Sequence, residues 1–99
     1  MPPEHSAWIT WSDERVRRGP PAMTETIDPA WAEGAEVGRD DAWSLIGHFG
    51  VPPSEQGNPS EALVRFLVAE APHDALRAGA HLRLFERGPR CSATVEIVK

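Results

Sequence analysis

The histidines and the single cysteine are the residues of this 99-residue chain best suited to metal binding or covalent catalysis. A zinc site needs three or four converging ligands, usually with two of them a few residues apart. The nearest approach to such a pattern is His73 and Asp74 followed by His81. Because no second pair accompanies them, we interpret the four histidines as separate surface residues. The sequence predicts neither a metal nor another cofactor.

Cys91 is the one candidate nucleophile, since it follows Arg90 and a neighbouring positive charge favours the reactive thiolate. No base stands at a supporting position, so a small buried or half-buried thiol is the preferred interpretation. Asp40 and Asp41 would point to opposite faces of an extended chain, which disfavours paired acid–base catalysis. The sequence therefore predicts that the protein is not an enzyme, and one cysteine allows no intramolecular disulfide.

Aromatic and basic side chains suggest a different role, which is the binding of a partner. Trp31 and Trp43 are two of four tryptophans that could stack on a ligand or a base. Packing in a core or an interface is favoured for them, because the chain has few other aromatic residues. Arg83, Arg87 and Arg90 form a basic group that we interpret as a solvated hairpin rim rather than an anion site. These five residues are the predicted partner contacts.

The composition limits the class of partner and the location. The net charge of -5 disfavours nucleic acid as the partner, since that binding depends on excess Lys and Arg. No apolar run approaches the roughly 20 residues of a membrane span. The N-terminus lacks the basic-then-apolar order of a signal peptide. A protein partner and a reducing, cytoplasmic location are therefore expected.

Alternating apolar residues late in the chain predict strands. In segments 81–86 and 92–98 the alternation indicates an antiparallel hairpin with a longer loop. Segment 62–69 stays ambiguous, because Ser60 and Glu61 could cap a helix whereas the alternation suits a strand buried on both faces. Residues 73–79 fit a single helical turn closed by glycine.

The first half of the chain is less regular. Residues 43–51 are predicted to form a strand, which Pro52 and Pro53 end. Residues 24–42 are expected to form a loop with at most one short strand near residues 35–38. Residues 1–22 are predicted to be a flexible leader before a single domain over 23–99, with Met23 as a candidate start. The alternative, a first strand at residues 6–11, remains open.

The order of the late elements resembles a known domain. An apolar segment ending at Pro72 is followed by a turn to Gly79, a strand over residues 82–85, the sequence Glu-Arg-Gly-Pro-Arg over 86–90, and a last strand over 93–98. This order is similar to the last strands of the C-terminal β-barrel of the elongation factor Tu family, over residues 43–98. The resemblance implies a mainly β fold, a small antiparallel six-stranded barrel left incomplete at its N-terminal side. It also implies that segment 62–69 is a strand.

The resemblance further implies an interaction role. In that family the barrel packs on the nucleotide-binding domain and helps to hold aminoacyl-tRNA, and similar barrels occur as short stand-alone bacterial proteins. This chain has no phosphate-binding loop, and Pro89 stands where the family has glycine. We therefore expect a non-enzymatic module that binds a protein. The alternatives are a translation-associated RNA- or ribosome-binding factor and, less favoured, a small enzyme or metal protein. An incomplete barrel would also leave a sheet edge open for a homodimer.

Overall fold

Six strands close into one antiparallel barrel in the computed structural model, which describes residues 4–32, 43–85 and 91–99. The strands are β1 (His5–Trp11), β2 (Glu25–Ala32), β3 (Trp43–His48), β4 (Ser60–Phe66), β5 (His81–Leu84) and β6 (Ala93–Ile97). Around the barrel their order is β1, β4, β3, β2, β5, β6. The connections contain α1 (Asp13–Arg18), α2 (Pro53–Gln56) and a 3₁₀ turn (His73–Ala75). Within these ranges no helix has the length and hydropathy of a membrane-crossing segment. The predicted mainly β fold is confirmed.

Alternating side chains build the core of the barrel. In β4 and β6 every second residue points inward, and Val64 and Val95 are fully buried between neighbours that are exposed or half-buried. Burial of such a side chain stabilises the fold by about 1.5–3 kcal/mol. β4 pairs with β1 on one side and β3 on the other, and this pairing overrides the helical preference of its Ala and Glu residues. Segment 60–66 is therefore a strand, but Leu63 faces solvent, so the prediction of burial on both faces is wrong there.

Strand β1 corrects the prediction of a flexible leader over residues 1–22. β1 is antiparallel to both β4 and β6, and it buries Ala7, Ile9 and Trp11 in the core. Its partners β4 and β6 both come from the second half of the chain, so neither could be recognised as an adjacent hairpin partner in the sequence. With β1 in place the barrel is complete rather than open. The described strands consequently offer no free edge through which a second copy could pair.

Strand β2 corrects part of a second prediction, because it occupies residues 25–32 of the segment 24–42, which the pattern predicts to be a loop with at most one short strand. The Asp28-Pro29 pair suggested a turn, because proline cannot donate a backbone hydrogen bond. In the barrel Pro29 pairs with Ser44 of β3, and its carbonyl accepts a hydrogen bond from the Phe85 N–H at 3.0 Å. That bond lies just past the end of β5, so the donor that Pro29 lacks is missing at the end of the β2–β5 ladder and not within it. The short strand expected near residues 35–38 lies outside the described residues.

The remaining elements agree with the sequence patterns. β3 occupies the first six residues of the strand predicted over 43–51. β5 and β6 pair antiparallel, as the hairpin prediction requires, while residues 86–90 of their connection lie outside the described residues. The 3₁₀ turn is followed by Gly79, whose φ of 88° is a left-handed conformation that glycine adopts without steric cost.

Gly47 of β3 lies where the barrel wall leaves no room for a side chain. A Cβ at this position would lie 2.9 Å from Thr26 Oγ1 and 3.3 Å from Cε2 of Phe49. Gly47→Ala is therefore expected to lower the free energy of unfolding by about 1–3 kcal/mol through overpacking, as measured by urea denaturation. Adding Thr26→Ala removes the nearest atom and should recover part of that loss. If the free-energy loss of the double variant equals the sum of the losses of the two single variants, the clash between Gly47→Ala and Thr26 is not the cause.

Candidate functional site

Among the residues that the structure describes, the reactive side chains singled out from the sequence do not gather into a metal-binding group, and Asp40 and Asp41 lie outside those residues. The Cys91 thiol is half-buried and donates a hydrogen bond to the carbonyl of Ala93 at 3.1 Å. Nε2 of His73 lies 3.0 Å from the carbonyl oxygen of Ala69, and its ring packs edge-on against Phe66 with centroids 5.9 Å apart. Over residues 4–32, 43–85 and 91–99, no group of three His, Cys, Asp or Glu side chains could hold a metal ion.

Two of the predicted partner contacts meet on the outer wall of the barrel. Trp31 of β2 pairs directly with Arg83 of β5. Both side chains point outward, because their strand neighbours Ala30 and Leu84 point inward and are almost fully buried. The Trp31 ring meets the Phe85 ring nearly perpendicularly, with centroids 4.7 Å apart. The guanidinium carbon of Arg83 lies 5.9 Å from the centre of the same ring. We call these three residues, Trp31, Arg83 and Phe85, the aromatic–arginine cluster.

The side chains of the aromatic–arginine cluster are held in place by burial and by their contacts with one another. Phe85 is only 5% exposed, although it does not belong to the apolar core inside the barrel. Trp31 and Arg83 are each half-buried against it. Edge-to-face aromatic pairs contribute about 0.5–1.5 kcal/mol beyond their buried area. The Arg83 contact adds less, because its distance is near the limit for cation–π attraction.

The other predicted contacts do not join this cluster in the described structure. Trp43 pairs with Ala30 across β2 and β3, and its half-buried side chain packs against the core inside the barrel. Arg87 and Arg90 lie outside the described residues. Their place in the sequence is the connection that follows Phe85, at the end of β5.

A groove of about 530 Å³ on the outer wall is a second candidate, which the sequence analysis missed. It is lined by Glu4, Ser6, His48, Phe49, Gly50, Glu61, Ala62 and Leu63. A neighbouring depression shares two of these residues and is lined by Gly50, Val51, Glu55, Gln56 and Glu61. We call the two together the acidic groove. Its long wall is β4, and its other walls come from β1, the end of β3 and α2.

Strand register assembles the acidic groove. Leu63 of β4 pairs with Ser6 of β1 on one side and with His48 of β3 on the other. The base of the groove is Phe49, whose ring also contacts Trp11 of the core at a centroid distance of 6.4 Å. The groove therefore rests on the rigid interior of the barrel.

The end of the groove is held by the side chain of Gln56. Its amide donates to the carbonyls of Val51 at 2.7 Å and Glu61 at 3.0 Å. Its amide oxygen accepts from the backbone N–H of Glu61 at 2.8 Å. These bonds tie α2 to the first residues of β4, so that the Glu55 and Glu61 positions keep a defined spacing.

Among the described residues that line the acidic groove, His48 is the one basic side chain. Its Nε2 lies 3.7 Å from a carboxylate oxygen of Glu4 and 3.7 Å from one of Glu25. That nitrogen is shielded from solvent and makes no hydrogen bond within the described ranges. Glu25 pairs with His48 across β2 and β3, so it extends the acidic rim beyond the groove.

The sequence carried one signal for this groove. Glu61 and Leu63 alternate with the buried Ala62 and Val64, which marks an exposed acidic and apolar face of one strand. The partners of that face are Glu4, which immediately precedes β1, and His48 of β3, and the register of β1 and β3 with β4 cannot be obtained from alternation alone.

Comparisons of this chain with protein-family models, with curated proteins and with solved structures found no match. The aromatic–arginine cluster and the acidic groove are therefore interpreted from their own contacts, burial and charge.

Proposed function

We propose that this barrel is a non-enzymatic module that binds another protein through the aromatic–arginine cluster. The observation that carries the proposal is the direct pairing of Trp31 and Arg83 over the buried ring of Phe85. Tryptophan and arginine are the residue types most enriched among the few side chains that dominate protein–protein binding energy. A side chain that is already immobilised loses little conformational entropy when a partner covers it.

The closed barrel restricts how a partner can bind. A peptide can add as a strand only where a sheet has an unpaired edge. All six described strands pair on both sides, so this mode is not open to them. Recognition must then use side chains of the outer wall, and this favours the cluster over the sheet edge expected from an incomplete barrel.

Kinship with the C-terminal barrel of elongation factor Tu remains part of this proposal, and the closed six-stranded antiparallel barrel supports it. The same kinship motivates the alternative of an RNA- or ribosome-binding factor. The net charge of -5 disfavours that alternative. We also propose a reducing, cytoplasmic setting, with which the free thiol of Cys91 is consistent.

Capture with matched variants tests the proposal. The tagged chain serves as bait in nuclease-treated lysate of the organism that encodes it, beside the double variant Trp31→Ala, Arg83→Ala. The control is Met23→Ala, Arg77→Ala, which removes a large apolar and a basic side chain from exposed positions outside both surfaces. We expect at least one protein to be enriched on the native and control baits and lost from the Trp31, Arg83 variant.

A measurement on the purified pair completes the test. By calorimetry the dissociation constant of that protein should rise at least tenfold for the double variant and by less than threefold for the control. Because Trp31→Ala exposes Phe85, circular dichroism must show that the variant keeps the barrel, and Arg83→Glu supplies a second, less invasive change. Enrichment of RNA in place of protein before nuclease treatment, lost on Arg83→Glu, would favour the alternative function.

A further inference from the structure

Exposed apolar side chains gather along the acidic groove. Leu63 and Val51 line it and are 43% and 48% exposed. Trp8 is 41% exposed and pairs with Glu61, two residues from Leu63, which brings its ring within reach of the same wall. Single exposed apolar residues are ordinary, but a group beside one groove marks a surface that a partner covers.

The charge of the groove specifies the chemistry of that partner. Glu4, Glu55 and Glu61 line it, and among the lining residues that the structure describes there is neither lysine nor arginine. The one basic wall residue, His48, already faces two carboxylates, from Glu4 and Glu25. The groove therefore attracts cations and repels a second copy of this acidic chain.

The spacing of exposed side chains along β4 specifies which positions of a bound peptide must be basic and apolar. Glu61 and Leu63 lie on one face two residues apart, which in a strand is about 6.6–6.8 Å. An extended peptide presents its own alternate side chains at the same interval. A positive side chain opposite Glu61 then places the residue two positions away over Leu63.

We propose that the acidic groove binds an extended segment of a partner protein in which a lysine or arginine stands two residues from a large apolar side chain. The basic residue contacts Glu61 and its acidic neighbours, and the apolar residue covers Leu63 on the Phe49 base. β4 is fully paired, so side chains rather than strand addition hold the segment. This surface is distinct from the aromatic–arginine cluster of β2 and β5, and each proposal can fail without the other.

Fluorescence polarisation with designed peptides tests this inference on the full chain. The probe is a fluorescein-labelled twelve-residue peptide that repeats Lys-Thr-Leu-Thr. The comparison peptides repeat Glu-Thr-Leu-Thr and Lys-Thr-Ser-Thr, which lack the positive charge and the apolar residue respectively. We expect the first peptide to bind at least tenfold more tightly than either of the others, and its binding to weaken as salt is raised.

Matched substitutions assign the binding to the groove. Glu61→Gln and Leu63→Ser should each weaken binding of the Lys-Thr-Leu-Thr peptide at least fivefold. The controls are Glu70→Gln, at an exposed position past the end of β4, and Leu67→Ser, at a leucine that is 45% exposed. Each control should change the dissociation constant less than twofold, and circular dichroism must be the same for all four variants.

Four outcomes would overturn the inference. Absence of binding with the protein at millimolar concentration removes the site. An equal loss with Glu70→Gln shows a response to net charge only. Unchanged affinity with Leu63→Ser shows electrostatic adsorption without an apolar contact. Self-association in sedimentation, abolished by Glu61→Gln, identifies a second copy as the occupant, with the basic helix α1 as its contact.

Discussion

A chain that begins at Met23 is expected not to form the barrel. It lacks β1, which pairs with β4 and β6 and closes the ladder between them. Its loss leaves two strands with unpaired edges and removes Ala7, Ile9 and Trp11 from the core. Domains of this size are stable by only about 5–15 kcal/mol, and the removal of three buried side chains and a central strand exceeds that margin.

The measurement compares two truncations by circular dichroism and thermal unfolding. The chain from Met23 should show no cooperative transition and should aggregate, because exposed strand edges pair between molecules. The control begins at Glu4, retains all of β1 and should unfold like the full chain. A cooperative transition at an unchanged midpoint in the chain from Met23 would show that β1 is dispensable, as the predicted leader requires.

Trp11→Ala is expected to have the largest effect of any single substitution proposed here, a loss of about 3–5 kcal/mol of unfolding free energy. The indole is 2% exposed and lies against Phe49 inside the barrel. Its Nε1 donates to the hydroxyl of Ser60 at 3.1 Å, so the truncation leaves both a cavity and a buried hydroxyl with one partner fewer. A loss of this size unfolds a large fraction of molecules if native stability is near the lower end of the usual range.

Two further variants separate the contribution of the buried volume of Trp11 from that of its hydrogen-bond donor. Trp11→Phe keeps most of the volume but not the donor, and should cost about 1–3 kcal/mol. Trp8→Ala removes an exposed tryptophan from the same strand and should cost less than about 1 kcal/mol. The Asn58 side chain bonds the backbone N–H and carbonyl of position 11, and those bonds remain in all three variants. Equal midpoints for the two alanine variants in urea would contradict the buried placement of Trp11.

The two surfaces occupy different sectors of the barrel wall. The acidic groove lies over β1, β4 and β3, whereas the aromatic–arginine cluster lies over β2 and β5. Their chemistry also differs, since one is lined by glutamates and the other contains an arginine. A protein that engages both at once would gain affinity from the preformed spacing of the sites, and the variants proposed for each surface would then weaken the same complex independently.

The sequence pattern predicted the parts of the fold that are formed by residues close together in the chain. The alternation in β5 and β6 identified a hairpin, and its inward residues Leu82, Leu84 and Val95 are core residues. The turn before Gly79 also follows from residues close in sequence. The pattern of β4 does not predict the groove, because its alternation suits a strand buried on both faces, whereas Leu63 is exposed in the barrel.

The amino-acid sequence alone determined the late hairpin, because side-chain alternation and turn residues are local properties, and the mainly β class entered as an implication of the resemblance. Only the tertiary structure showed that β1 closes the barrel, that Pro29 lies within β2 and that Trp31 pairs with Arg83. Each of these depends on the register between segments far apart in the chain. That register is set by the combined burial of all six strands, which no single segment encodes.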